Sequence, residues 1–497
     1  MAAKIFAADS VDTLDVFEQK ALGLAHTLRA RGVHPGTRVL LKAGNSTGFV
    51  GGLLALMHLG ASIVLVDHQE KADQTERIRA QAGAKIVLVD DDAPVADGGE
   101  LVFLYEVMAA SAGTVPQDGA LDFTTWSALP DGLIMWSSGS TGRPKGIAKN
   151  GGRFLKNLER NARHVGHTSD DVLLPLLPFN HQYGLSMVLI AWITRCSLVI
   201  APFRRPDRAL RFADYTGATV LDATPATYRS ILNITRRRPS TKAALRSVRM
   251  FCSGASPLDP SLSRSYVDEF GLPLLDSYGS TELGNVAFAT PENPVACGTV
   301  MEGLALKVVG ETGDSVAPGE IGEVLVDCPD MMTGHLDAEG GVVPAAQGWF
   351  TTGDLGYLDD HDNLFVIGRK LAVNRNGYTL YPEIIERKIA DRGCSAKIVS
   401  LPAADRGCSL IFFVEDDQGR DARHWQDIIN DALPAWERPN RVQVIDRFPV
   451  NANGKPHRAQ LEEMAVQLFS RAVPSPTGRD TAPEPTAGPE PSHTRRA

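Results

Sequence analysis

The chain has 497 residues, 43% of them hydrophobic, and a formal charge of −9 at neutral pH. That length exceeds one ordinary core, so more than one domain is expected, and an acidic balance with no Lys/Arg block interleaved with aromatics argues against nucleic-acid binding. Six cysteines, at positions 196, 252, 297, 328, 394 and 408, form no Cys-x-x-Cys pair, which fits buried thiols in a reducing compartment and argues against a zinc site.

The first ten residues lack a basic stretch followed by an apolar core, so no secretory signal is expected and a cytoplasmic location is. From residue 11 to 31 apolar residues recur at helical spacing, and Gly32-Val33-His34-Pro35-Gly36 stops the helix. A strand at 39–41 leads through Gly44-Asn45-Ser46 into an apolar helix at 49–59, and further strands are predicted at 62–66 and 86–89. Strands alternating with helices predict a largely parallel α/β sheet.

Residues 132–136 read as a short buried strand, and the next stretch, Trp-Ser-Ser-Gly-Ser-Thr-Gly-Arg-Pro-Lys-Gly from 136 to 146, reads as a loop. Its glycines let backbone N–H groups approach an anion, Ser137, Ser138, Ser140 and Thr141 add donors, and Lys145 adds a positive charge. The composition makes a phosphate cradle, though a Gly/Ser linker would look similar. It is not a P-loop, which needs a hydroxyl after the Lys where this chain has Gly146.

After a helix at 154–165 and a strand at 171–175 comes Pro178-Phe179-Asn180-His181-Gln182-Tyr183-Gly184, whose His, taken alone, reads as a core residue. The most apolar run, 185–201, is short for a membrane span and contains Arg195, so a buried helix and strand are expected there and no transmembrane helix. Strands at 218–221 and 248–251 open into Asp222-Ala223-Thr224-Pro225 and Ser253-Gly254-Ala255-Ser256-Pro257, and 274–276 runs into Ser277-Tyr278-Gly279-Ser280-Thr281-Glu282. From Gly298 the pattern turns to short strands, at 306–309 and 318–326, and predicts a β-rich subdomain that 349–356 closes, with 363–369 following after a turn. Past Lys370 a small domain is expected, with a helix starting at Tyr381-Pro382, strands at 397–400 and 409–414, and the stretch Phe448-Pro449-Val450-Asn451-Ala452-Asn453-Gly454-Lys455. Residues 474–497 hold six prolines and no Leu, Ile, Val, Phe or Met, so they are expected to be disordered.

The order Ser-Ser-Gly-Ser-Thr-Gly-x-Pro-Lys-Gly at 137–146 resembles the signature loop of the adenylate-forming superfamily, which includes acyl- and aryl-CoA ligases, firefly luciferase and the adenylation domains of peptide synthetases. The later stretches resemble that family's other motifs, in order, over almost the whole chain. The resemblance implies an α/β protein with a large N-terminal domain of mixed, largely parallel sheets plus a β-rich subdomain, spanning 1–369. A small mobile α+β domain, 370–470, and a tail, 471–497, would follow.

It also implies ATP and Mg²⁺, with CoA as co-substrate. Ser137, Ser138, Gly139, Ser140, Thr141, Gly142 and Lys145 would surround the phosphates, and Gly254, Ala255 and Ser256 would lie along the adenine. Tyr278, between Ser277 and Gly279, would stack on the base, as a planar ring can. Thr281 would meet the phosphates and Glu282 would hold magnesium, which favours carboxylate ligands beside phosphate oxygens. Asp354 would grip the ribose hydroxyls, a task for an acceptor-only group, and Arg369 would contact the ribose-phosphate region. His181 would border the acyl pocket, and Lys455 would swing in to neutralise the carboxylate and α-phosphate. Thr141, Glu282, His181 and Lys455 form the expected catalytic set.

The implied reaction is displacement of pyrophosphate from ATP by a carboxylate, catalysed mainly by positioning and charge neutralisation. A thiol, CoA first, then takes the acyl group; an amine acceptor or a carrier protein are the alternatives. Amino-acid-activating relatives place an Asp near position 180 to hold the ammonium, and Asn180 favours an uncharged acyl or aryl acid. At the hinge the family commonly has Asp or Lys third after the Gly of Gly-Arg. Here that place is Leu371, and 368–377 is one residue short, so a slip would assign the role to Lys370. Gly377 and Asn374-Arg375-Asn376 fall where relatives line the pantetheine tunnel. A non-catalytic nucleotide-binding protein is the contrary reading, and retention of Glu282, Asp354, Arg369 and Lys455 together speaks against it.

Overall fold

A computed structural model describes residues 2–95, 98–113, 119–137, 145–375, 378–403, 406–451 and 454–470, the side chains of 137, 374, 378, 379, 469 and 470 excepted. Short runs such as Val39-Leu40-Leu41 and Ile63-Val64-Leu65 are apolar without alternation, the pattern of strands covered on both faces. They lie in the middle of an eight-stranded sheet. Its order is Val342–Pro344, Gly334–Leu336, Lys145–Lys149, Leu133–Ser137, Ser62–Leu65, Arg38–Lys42, Ile86–Val89 and Glu100–Phe103. Pairing is parallel from Leu133–Ser137 to Glu100–Phe103 and antiparallel across the other pairs.

A seven-stranded sheet faces it, in the order Leu274–Leu275, Met250–Ser253, Val220–Ala223, Val172–Leu176, Ser197–Val199, Lys4–Phe6 and Val11–Thr13, with only the last pair antiparallel. One continuous core joins the two sheets. It contains Leu41, Ile63 and Met135 from the first, Leu173, Val220 and Cys252 from the second, and residues of the helices Thr47–His58, Gly151–Val165 and Gln182–Ile193 between them. The helix Gln182–Ile193 is apolar all round because it is buried almost all round. Helix starts are set locally: Ser46, Asn150 and Thr224 each accept a backbone N–H three residues on.

The β-rich part is a four-stranded antiparallel sheet of Ala305–Val309, Gly322–Asp327, Trp349–Leu358 and Leu364–Arg369. From Val373 onward a separate three-stranded sheet, Ala396–Ala403, Gly407–Glu415 and Arg441–Ile445, carries its own cores. Leu410, Phe412 and Val414 pack with Ile385, Trp425 and Ile429 on one face, and Ile411 and Phe413 with Val399, Leu461 and Ala465 on the other. Residues 471–497 lie outside the described residues.

Three expectations are corrected. The loop read at 136–146 is shorter, because Trp136 pairs with Gly146 and Ser137 with Lys145, so both ends belong to a hairpin ladder that uses only main-chain groups. Ser277–Ser280, read as a motif following a strand, is itself a strand paired with Gly284–Phe288. Asp222 and Ala223 are ladder residues of Val220–Ala223, with only the N-cap Thr224 between them and the helix Pro225–Arg237. The apolar run 185–201 forms parts of the helix Gln182–Ile193 and the strand Ser197–Val199, and no helix among the described residues is long and apolar enough to cross a membrane. All six cysteines are free and buried.

Candidate active site

The ribose-binding expectation falls on a cross-strand pair. Asp354, in Trp349–Leu358, stands opposite Arg369, the last residue of Leu364–Arg369. Arg369 Nε lies 3.1 Å from Asp354 Oδ1, its Nη1 donates to the Thr352 carbonyl at 2.9 Å, and the Tyr278 hydroxyl donates to Asp354 Oδ2 at 2.6 Å. Burial raises the Asp354 carboxyl, with the Arg369 charge the largest opposing influence. A carboxylate has about four lone-pair sites, so two remain for a diol.

Between Ser277–Ser280 and Gly284–Phe288 the chain turns at Thr281-Glu282, and this turn is anchored by a lysine that the sequence reading passed over. Lys149, fully buried, donates from Nζ to the Thr281 carbonyl at 2.8 Å and to Gln182 Oε1 at 3.2 Å. Desolvation pushes its ammonium down to about 8, against the nearby Cys328, Glu282 and Asp330. The signal was a charge in Ile147-Ala148-Lys149, a strand with no solvent face. The Glu282 carbonyl accepts from the Met332 N–H at 2.7 Å. Its half-buried carboxylate makes no hydrogen bond or ion pair among the described residues, which leaves a hard oxygen donor available to a magnesium ion.

His181 sits at the N-cap position of Gln182–Ile193, its N–H bonded to the Pro178 carbonyl at 3.2 Å. Gly184 is required for this turn, because a Cβ there would collide with the Pro178 carbonyl oxygen. Burial, reinforced by the Lys455 charge, pushes His181 down to about 3, so the ring is neutral at ordinary pH. The next aromatic, Tyr183, donates to Asp222 Oδ1 at 2.9 Å and lies over Gly254, where a Cβ would approach its Cε1 to 3.0 Å and collide with Ser277 Oγ. Ser277 Oγ donates to the Ser253 carbonyl at 2.8 Å, and Ala255 adopts φ 69°, so the loop expected beside adenine is sharply turned. Asn180 is turned away, bonded to Asp67 at 3.3 Å in a surface cleft of about 110 Å³.

Lys455 arrives from the C-terminal part on a tight hairpin turn. Val450 bridges Pro456, Asn451 N–H donates to the Lys455 carbonyl at 2.8 Å, and Lys455 N–H donates back to Asn451 Oδ1 at 3.0 Å. Gly454 takes φ 72° and sits against Thr224, where a Cβ would come within 2.8 Å of Oγ1. The Lys455 ammonium has no hydrogen bond or ion pair among the described residues. Burial and then Arg369 lower its pKa, while Asp354 and Glu282 act the other way. Lys455, Arg369, Asp354, Glu282 and His181 therefore share one electrostatic neighbourhood.

Of the phosphate-loop residues, Ser138, Gly139, Ser140, Thr141 and Gly142 lie outside the described residues, and Ser137 and Lys145 form the loop's stem. At the expected hinge position Lys370 pairs with Glu323 at 2.9 Å and donates its N–H to the Gly353 carbonyl, whereas Leu371 is exposed. Arg375 is buried and committed to the carbonyls of Trp436 and Arg438; Asn376 and Gly377 lie outside the described residues.

A 2-succinylbenzoate–CoA ligase of Enterococcus faecalis is 26% identical over 445 residues, covering 87% of this chain and 90% of that protein. ATP-bound MatB from Rhodopseudomonas palustris has the same fold, with a TM-score of 0.82 at 24% identity over 94% of this chain and 97% of that one. An o-succinylbenzoate CoA synthetase of Bacillus subtilis, in complex with its acyl-adenylate intermediate OSB-AMP, gives a TM-score of 0.78 at 23% identity, over 93% and 95% of the two chains. Residues 13–336 match the AMP-binding enzyme family, and the chain belongs to that family.

Proposed function

We propose that the protein is an AMP-forming carboxylic acid:CoA ligase that works in the cytoplasm on an uncharged acyl or aryl acid. The observation that carries this reading is the position of Lys455, delivered by the C-terminal sheet unit into the same pocket as Glu282, Asp354, Arg369 and His181. Bringing a carboxylate to a triphosphate places two anions side by side, and the barrier is mainly electrostatic. A buried ammonium without a partner among the described residues is a receptor for those charges.

In the first step a carboxylate oxygen attacks the α-phosphorus, the α–β bridging P–O bond breaks, and pyrophosphate leaves. Asp354 and Arg369 hold the ribose side, with Tyr278 fixing Asp354. Neutral His181 can offer a hydrogen bond to the acid without adding charge. Glu282 would hold Mg²⁺, which supplies charge neutralisation at the phosphates, and Lys149 fixes the turn that carries Glu282. In the second step the CoA sulfur attacks the acyl carbon, the acyl C–O bond to the phosphate breaks, AMP leaves with that bridging oxygen, and the thiol proton passes to solvent. Residues 1–369 form the nucleotide- and acid-binding body in this reading, 370–470 the part that moves, and Lys370-Leu371 the place where it turns. Support for CoA comes from the ligase relative, which shares most of its length with this chain.

The test is ATP–pyrophosphate exchange across a panel of carboxylic acids, followed by mass identification of products formed with CoA or with simple amines. Acid-dependent exchange and acyl-CoA are expected. Amide formed with CoA neither consumed nor required would replace CoA transfer with amide ligation, and no exchange with any acid would overturn the ligase reading.

A further inference from the structure

Three aspartates are buried in or next to the seven-stranded sheet: Asp171, Asp222 and Asp276, the last of which follows Leu274–Leu275, accepts from Cys297 Sγ at 3.6 Å and leaves Oδ1 without a partner among the described residues; the first two are treated differently. Asp171 has both oxygens satisfied: Oδ1 accepts from Thr219 and Arg249 at 2.8 Å each, and Oδ2 from the Thr168 N–H at 2.9 Å and Arg249 at 2.7 Å. That is how a purely structural buried carboxylate looks. Asp222, 1% exposed in the middle of Val-Leu-Asp-Ala, accepts one bond, from Tyr183, and its Oδ2 has no partner among the described residues. An unfilled acceptor in an apolar interior is unfavourable, and an aliphatic side chain would suit this strand better.

The place of Asp222 gives the missing partner a source. It lies at the C-terminal end of a parallel strand, beside Cys252 in register, and Tyr183 connects it to the acid end of the site. Tyr183 follows His181 by two residues and lies over Gly254, and His181 feels the Lys455 charge. A carboxylate held at Lys455 and His181 would therefore project its chain past Tyr183 towards Asp222. We propose that Asp222, oriented by Tyr183, is the far-end recognition point of the acyl pocket and selects acids that carry a hydroxyl or an uncharged aryl amine donor remote from the carboxylate. This inference rests on the ligase reading above and narrows its substrate class. Burial raises the Asp222 carboxyl to about 7, and a bound donor would favour its ionised form.

Matched acids test it. Each skeleton, benzoic, phenylacetic, phenylpropanoic and longer ω-phenyl acids, is supplied with H, OH, NH₂ or OCH₃ on the ring, and pyrophosphate release is followed with ATP, Mg²⁺ and the intact protein. In the skeleton of the right length the OH or NH₂ acid is expected to exceed its H and OCH₃ counterparts in kcat/KM by roughly ten- to a hundredfold, as when a buried group loses its partner. Asp222→Asn should shrink that ratio and Asp222→Leu should reverse it. Equal rates for all four endings in every skeleton that reacts would overturn the proposal from the wild-type protein alone. A variant that lowers all four endings by one common factor would overturn it too, by assigning Asp222 a structural role. Silence with every acid is a different failure, which removes the ligase reading itself and this inference with it.

Discussion

Asp354 and Lys455 bring opposite charges into one pocket and are held there by opposite means. Asp354 belongs to a ten-residue strand, faces Arg369 across the ladder, and has both oxygens engaged before any ligand arrives. Lys455 rides on a turn whose bonds are almost all main-chain, and its ammonium is bonded to nothing among the described residues. On the proposed reading the first arrangement would need no reorganisation when a ribose binds, which is what a preorganised acceptor provides. The second could be withdrawn. A charge that neutralises two anions for adenylation would hold the products if it stayed, so a removable lysine suits a two-step reaction.

Lys455→Ala should test this contrast most severely. Adenylation, read as acid-dependent ATP–pyrophosphate exchange, is expected to fall by roughly 10²- to 10³-fold, the scale for one transition-state donor. Thioester formation from supplied acyl-adenylate should change only a few-fold, and equal loss in both assays would mean that the lysine is not specific to the first step. Asp354→Asn keeps the shape but removes the charge, so KM for ATP should rise by roughly ten- to a hundredfold. A normal ATP titration would remove Asp354 from the ribose site. Gly454→Ala sharpens the comparison without touching either charge. It places a Cβ 2.8 Å from Thr224 Oγ1 at φ 72°, where an L-residue costs about 1–2 kcal/mol, so adenylation should slow roughly five- to thirtyfold. Stopped-flow measurement of the two half-reactions would show whether the second is spared.

The smallest effect is on stability. His181 has a folded pKa of about 3 against an ordinary 6.5, so on acidification the unfolded chain takes up its proton first and stability is lost as pH falls below 6.5. The ring is not wholly closed from solvent, so urea denaturation at about pH 7.5 and 5.5 should show wild type losing about 1 kcal/mol more than His181→Gln. Identical pH dependence in the two proteins would place His181 in water.

Most of the large-scale architecture was legible because its signals are local. Apolar runs four or five residues long marked the parallel strands, and among the described residues the motif positions Ser253, Gly254 and Thr281 fell at a strand end or a turn. The expected residues Asp354, Arg369, Glu282, His181 and Lys455 do lie together, whereas what supports them was not legible. Lys149 lies just past the 137–146 motif and Asp222 is a lone polar residue in an apolar strand, and neither belongs to a motif. Their importance depends on partners 132 and 39 positions away, Thr281 and Tyr183. The pairing of Ser137 with Lys145 was missed because a hairpin ladder asks nothing of side chains.

The strand Gly334–Leu336 joins the eight-stranded sheet beside Lys145–Lys149, with Gly334 opposite Ala148 and His335 opposite Ile147. Without it, the strand leaving the phosphate loop would be an open border, free to fray or to recruit another chain. With it, that strand is splinted on both sides. Leu336 also packs so close to Gly146 that a methyl group there would fall 2.9 Å from its Cδ1. The same splinted strand ends in Lys149, which grips the Thr281 carbonyl. The loop's stem and the turn that carries Glu282 thus share one datum, and a shift of either would be transmitted to the other as a rigid displacement.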